Sequence, residues 1–139
     1  MPQKRWRPHK KARTLGELAL HVAGTPGAVA TLAAQSEIQA PTFTDPSPTR
    51  ASELIPALDE SIATAKRVLG RMDDATLNAK WRMMRDGREI MAIPRIALLR
   101  SIMLNHWYHH RGQLSVYLRE LGVAIPSIYG PSADENPFA

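Results

Sequence analysis

Cysteine is absent from all 139 residues, so disulfides and thiolate ligation are excluded and any metal must take nitrogen or oxygen donors. No apolar run reaches the ~18–20 residues that a membrane-spanning helix needs. No apolar stretch follows the basic N-terminus, so a secretory signal is not expected either. Internal repeats and low-complexity tracts are missing as well. These absences fit a cytoplasmic protein without a membrane partner. What is there suits a globular chain: 44 % of residues are apolar, and the length suits one domain over 1–139 with one core.

The net charge of +5 is unevenly placed. Lys4, Arg5, Arg7, Lys10, Lys11 and Arg13 supply six of the 18 basic residues before any acid appears. An arm of this kind with Trp6 inside it can meet nucleic acid or acidic lipid. No nucleic-acid motif accompanies it, so residues 1–13 are read as an irregular, solvated leader, with His9 in solvent and nucleic acid not expected as a partner.

Thr14 and Glu17 have capping-box spacing and open a helix from about Leu15 to about Gln35. Leu15, Leu18, Val22, Val29 and Leu32 give it an apolar stripe. Pro26 cannot donate to the carbonyl of Val22, which predicts a kink or a break. Residues 40–49 form a Pro-rich loop. Ser52 then caps a helix to about Leu69, with Leu54, Ile55, Leu58, Ile62, Ala65 and Leu69 facing inward. Asp86-Gly87, set between the runs Trp81–Met84 and Glu89–Ile93, predicts a hairpin that must lean on the helices. Pro94 opens the last helix, which runs to Leu121 and stops at Gly122, ~42 Å in all. Residues 123–139 read as an irregular tail.

Three of the five histidines fall within five consecutive residues of that last helix. Its inward stripe reads Ile96, Leu99, Met103, His106, His110, Leu114, Tyr117, Leu121. Two imidazoles stand where leucine is expected, four residues apart on one face. Burying each without a partner costs roughly 1–3 kcal/mol. A shared divalent cation satisfies a nitrogen from each ring, although a hydrogen-bonded core pair or a half-exposed pair fits the spacing too. Useful sites need at least a third ligand. His21, at the edge of the first helix's stripe, would come level with the pair if the first and last helices pack antiparallel. His109 lies one step off the seam and is read as a surface or neighbouring group. Gln113 and Tyr117 follow on the same face, where either orients a bound water or simply packs. Arg111 is read as a surface ion-pair partner.

The run Leu104-Asn105-His106-Trp107-Tyr108-His109-His110-Arg111-Gly112-Gln113-Leu114 resembles the last-helix signature of the DinB-like (YfiT/DinB) metal-binding superfamily. Thr14-Leu15-Gly16-Glu17-Leu18-Ala19-Leu20-His21 is similar to that family's first ligand helix, and the ending Pro126–Glu135 to a common subgroup tail. The resemblance spans about Trp6 to Ala139. It implies an all-α, up-down helical bundle with a small β-hairpin before the last helix. It places the metal ligands on His21, His106 and His110, with nickel or zinc as the usual ion. Homodimers are common in the family. Relatives include transferases and isomerases that use a low-molecular-weight thiol on small-molecule substrates, which makes a metal-dependent thiol transferase the leading expectation. A non-catalytic metal-binding protein of the stress response is the alternative, the family name reflecting DNA damage-inducible expression. Family members carry a further helix before the segment matching Trp6. The resemblance therefore implies a bundle lacking its first helix, whose apolar face a partner subunit covers by dimerisation or helix exchange.

Overall fold

The computed structural model describes residues 2–42 and 44–139. Helix α1 (Leu15–Ala33) starts at the expected capping box: Thr14 N donates to Glu17 Oε2 at 2.7 Å, and Glu17 N donates to Thr14 Oγ1 at 3.2 Å. It then passes Pro26 without the break that was one of the two expected outcomes. The backbone groups disturbed at the proline find side chains from other helices. The Val22 carbonyl, which Pro26 cannot reach, accepts from Trp107 Nε1 at 2.8 Å. Gly27 N donates to Ser61 Oγ at 2.8 Å, and that hydroxyl donates to Gly24 O at 3.0 Å. A Cβ on Gly27 would stand 2.8 Å from the Ser61 carbonyl oxygen, so this glycine sets how closely α1 meets the next helix.

That helix, α2 (Leu54–Leu69), is entered through a 3-10 turn, Ala51–Glu53. Ser52 lies inside the turn and is not the cap. The Glu53 carboxylate reaches back to the chain before the turn, accepting from the amides of Thr49 at 3.0 Å and Arg50 at 3.1 Å. Ser61 and Ala65 form its buried line, and Ile55, expected inside, is 65 % exposed. A short helix, α3 (Asp74–Asn78), follows with Asp73 as its cap; sequence reading missed it.

Between α1 and α2 the chain forms β1 (Glu37–Gln39). It pairs in parallel with β2 (Lys80–Arg85), which pairs antiparallel with β3 (Arg88–Pro94). The predicted hairpin is therefore present and gains a third strand. Asp86 and Gly87 turn it with φ of 51° and 74°, the left-handed pair that a two-residue turn requires. Trp81 on β2 is fully buried and donates its indole N–H to Leu32 O at 3.1 Å, which ties the sheet to the end of α1. One core joins these parts: Val29, Ala30 and Ala33 of α1, Ile38, Ala65, Trp81, and Leu98, Leu99 and Met103 of the last helix.

The last helix has three parts. An α-helical turn, α4 (Arg95–Leu98), leads into a π-helical stretch over Leu99–Asn105, then α5 (His106–Glu120). Pro94 stands at the N-cap, one place before its expected position. Gly122, with φ of 71°, follows the end as anticipated. The helix runs antiparallel to α1, because Trp107 meets Val22 while Arg95 Nε donates to Ala33 O at 2.5 Å.

The basic leader is not loose. Its backbone from Pro2 to Arg5 makes a 3-10 turn, and Lys4 Nζ donates to Thr49 O at 2.6 Å. The Trp6 ring packs edge-on against Tyr117 with centroids 5.5 Å apart, and Arg13 Nε pairs with Asp45 Oδ1 at 2.6 Å. The tail has no regular structure yet is tied down. Asp134 pairs with Arg119 and accepts from Ile125 N at 2.8 Å, and Ile125 is buried. Among the described residues no helix is long and apolar enough to cross a membrane.

Candidate metal centre

Because α1 and the last helix run antiparallel, His21 comes level with the first turn of α5. There His106 and His110 project from one face, as their spacing predicts. One nitrogen from each of the three rings lies within 4.8 Å of the others. His106 Nε2 and His110 Nε2 are 2.9 Å apart. The rings stand nearly perpendicular to one another, with centroids 4.4–5.1 Å apart. All three expected ligands therefore converge, and among the described residues no carboxylate joins them.

Two observations show that this donor set fits a cation. His21 Nε2 is buried and has no hydrogen-bond partner among the described residues, a costly state that a metal relieves. His110 Nδ1 lies 2.7 Å from Gln113 Oε1. The amide oxygen can only accept, so Nδ1 carries the proton and Nε2 keeps its lone pair toward the other two rings. His106 Nδ1 is buried and makes no well-formed hydrogen bond among the described residues, although the Ile102 carbonyl, one turn back, is the acceptor beside that ring.

The electrostatics keep the rings neutral. Burial pushes the His21 pKa down to about 4, helped by the Arg13 guanidinium and the other two imidazoles and opposed by Asp45. His106 is lowered by burial, then by Arg13 and His109, with the Ile102 carbonyl opposing. His110 is lowered by burial, with its bond to Gln113 opposing and His106, Arg13 and His109 adding to the fall. Neutral imidazole is the form that ligates, so no proton has to leave at pH 7 before a metal enters.

Other sequence candidates fall outside the triad. His109 is exposed, with its ring centroid 4.9 Å from that of His110. His9 is exposed and accepts from Lys11 N at 3.2 Å. Tyr117 orients nothing at the centre; its hydroxyl donates to Arg13 O at 3.2 Å. Arg111 lies over the rings of Tyr108 and Tyr129, 5.2 and 4.9 Å from their centroids, where an ion pair had been expected. Sequence reading missed Arg13, which stands in the arm like any other cation there. It also missed a cavity of about 640 Å³ that opens from His21 and His106 toward Val29, Leu32 and Trp81.

Gln113→Ala frees the His110 ring to turn and to change tautomer. Metal affinity is expected to fall about 10–100-fold, with the helix intact. Competition against a chromophoric chelator, alongside circular dichroism, measures both.

Similarity to known proteins agrees with the fold. YrdA, an uncharacterised protein of Bacillus subtilis strain 168, is 31 % identical over 123 residues, covering 88 % of this chain and 70 % of that protein. The crystal structure of a DinB-like protein from Bacillus cereus ATCC 10987 superposes with a TM-score of 0.69 at 24 % identity, covering 92 % of this chain and 81 % of that one. That of the DinB-like protein YjoA from Bacillus subtilis gives 0.66 at 20 % identity, covering 92 % and 82 %. Residues 4–137, nearly the whole chain, match the DinB family, and the chain belongs to that family.

Proposed function

We propose that His21, His106 and His110 hold one divalent cation, nickel or zinc, and that the protein is a metal-dependent transferase or related enzyme acting with a low-molecular-weight thiol. The observation that carries the reading is the orphaned His21 Nε2, buried beside His106 and beside His110, whose tautomer Gln113 fixes. Three neutral ligands leave the cation's full charge uncompensated and leave coordination positions for water or substrate. A cation held there supplies one chemistry above all, lowering the pKa of a bound thiol or water so that a nucleophile exists at neutral pH. The chain's own groups do the rest. Gln113 holds the His110 ring, Arg13 adds positive charge beside the centre, and the apolar cavity excludes water from a bound substrate. Cobalt substitution followed by thiol titration tests this. A thiol-dependent change in the visible spectrum is expected in the wild type; a spectrum unchanged by thiols would leave a non-catalytic metal protein.

The same reading includes a homodimer. The exposed surface is 9153 Å², against about 7,200 Å² expected for a compact 15.4 kDa monomer. Ile55, Val116 and Tyr108 contribute to the excess, at 65 %, 59 % and 39 % exposure. A standard interface removes roughly 800 Å² from each partner, so a second copy of standard footprint accounts for about two-fifths of the excess. Light scattering at micromolar concentration is expected to give twice the chain mass, and a clean monomer would count against it.

A further inference from the structure

The cavity beside the candidate centre is polarised along its length. At one end stand Arg13, His21 and His106; at the other, Leu32, Trp81 and Leu98. From His21 to Leu32 the α1 wall advances eleven residues, about 16 Å. Two residues of the hairpin, Met83 and Met91, close the far end with flexible thioether side chains that adapt to different shapes. The volume of about 640 Å³ suits an organic molecule.

Among the described residues that line this cavity, Arg13 alone carries a permanent charge. Its Nε is engaged by Asp45 at 2.6 Å, and among the described residues the guanidinium makes no other hydrogen bond. The two Nη groups retain the paired donors that suit a carboxylate. Arg13 is also felt electrostatically at all three imidazoles, so it lies at the same end as they do. A divalent cation on three neutral rings, with Arg13 beside it and only Asp45 in opposition, leaves this end strongly positive. An anionic group relieves that excess, and a neutral or cationic one does not.

We propose that this cavity binds a small organic acid with an apolar body, its carboxylate paired with Arg13 at the metal end and its hydrocarbon laid along Val29 and Leu32 toward Trp81. This identifies the substrate class of the centre described above and rests on that reading for the cation, whereas the pairing with Arg13 and the apolar slot belong to the chain itself. A short polar acid would leave the far end empty. An apolar alcohol would leave the two Nη groups of Arg13 without an anionic partner.

Calorimetric titration of the metal-loaded protein with octanoate, octanol and octylammonium tests the assignment, with metal content measured on the same samples. Octanoate is expected to bind at least about tenfold more tightly than either of the others. Arg13→Gln is expected to remove that preference while octanol binding stays unchanged, and Arg13→Lys to restore part of it. Val29→Trp, which fills the slot, is expected to abolish binding of both octanoate and octanol. Equal binding of octanoate and octanol, or octanoate binding unaltered in Arg13→Gln or in Val29→Trp, would overturn the proposal. A protein that carries no metal but keeps the Arg13-dependent preference would refute the metal reading and leave the acid site standing.

Discussion

Alanine at position 110 is expected to leave the protein folded and without bound metal. His110 joins His21 and His106 in a set where one nitrogen from each ring lies within 4.8 Å of the others. Removing one of three ligands should lower affinity by more than the 10–100-fold that a lost orienting partner costs, so by over about a hundredfold. Folding should survive, because the substitution deletes a buried polar ring and none of the core residues. Elemental analysis after gel filtration gives the metal content, and thermal melting supplies a second reading. Metal at a hundred times its dissociation constant stabilises the wild type by about 2.7 kcal/mol, or very roughly 5–10 °C for a chain of this size. The variant should show no such rise. His21→Ala should behave alike, although it changes a helix remote in sequence, and His109→Ala should retain the wild-type content. The same tightly bound metal in His110→Ala and in the wild type would disprove the site.

Arg95→Leu is expected to cost about 3–5 kcal/mol, a large share of a small domain's stability. Arg95 is 3 % exposed and has no carboxylate partner among the described residues. Its guanidinium is spent on backbone carbonyls. It donates to Ala33 O at 2.5 Å and Gln35 O at 3.3 Å, both at the C-terminal end of α1, and to Thr76 O in α3. The last carbonyls of a helix lack intrahelical partners and carry the negative end of its dipole, so a planar cation with several donors serves there as an external cap. Leucine would fill the space and strand these oxygens. Lysine would keep the charge without the fork, so Arg95→Lys should recover only part of the loss. Urea denaturation at constant m-value measures it, and a change below about 1 kcal/mol would contradict the capping role.

The centre was legible because it breaks a rule that the surrounding residues obey. His106 and His110 occupy a seam otherwise filled by Leu99, Met103 and Leu114, and the cost of burying imidazole made the exception informative. His21 was reachable only by assuming the antiparallel contact that the structure shows. The capping box at Thr14 and the Asp86-Gly87 turn are encoded within a few residues, and both are present. Features that depend on distant partners were not legible. Pro26 leaves α1 unbroken, its disturbed backbone groups meeting residues 61 and 107. β1 spans only three residues, too few for a period, and exists through its parallel pairing with β2. Arg13 looked like one more solvated cation because nothing local tells that Asp45 anchors it beside the histidines.

The π-helical stretch from Leu99 to Asn105 sets the rotational phase of everything after it. There the His106 amide reaches the carbonyl of Ser101, five residues back. Wound as ordinary α-helix, the same seven residues would carry the segment beyond them about 100° further round. Both imidazoles would leave His21 while the full complement of histidines remained. The convergence of the three imidazoles thus hangs on how this one stretch is wound, and not only on which residues stand in it.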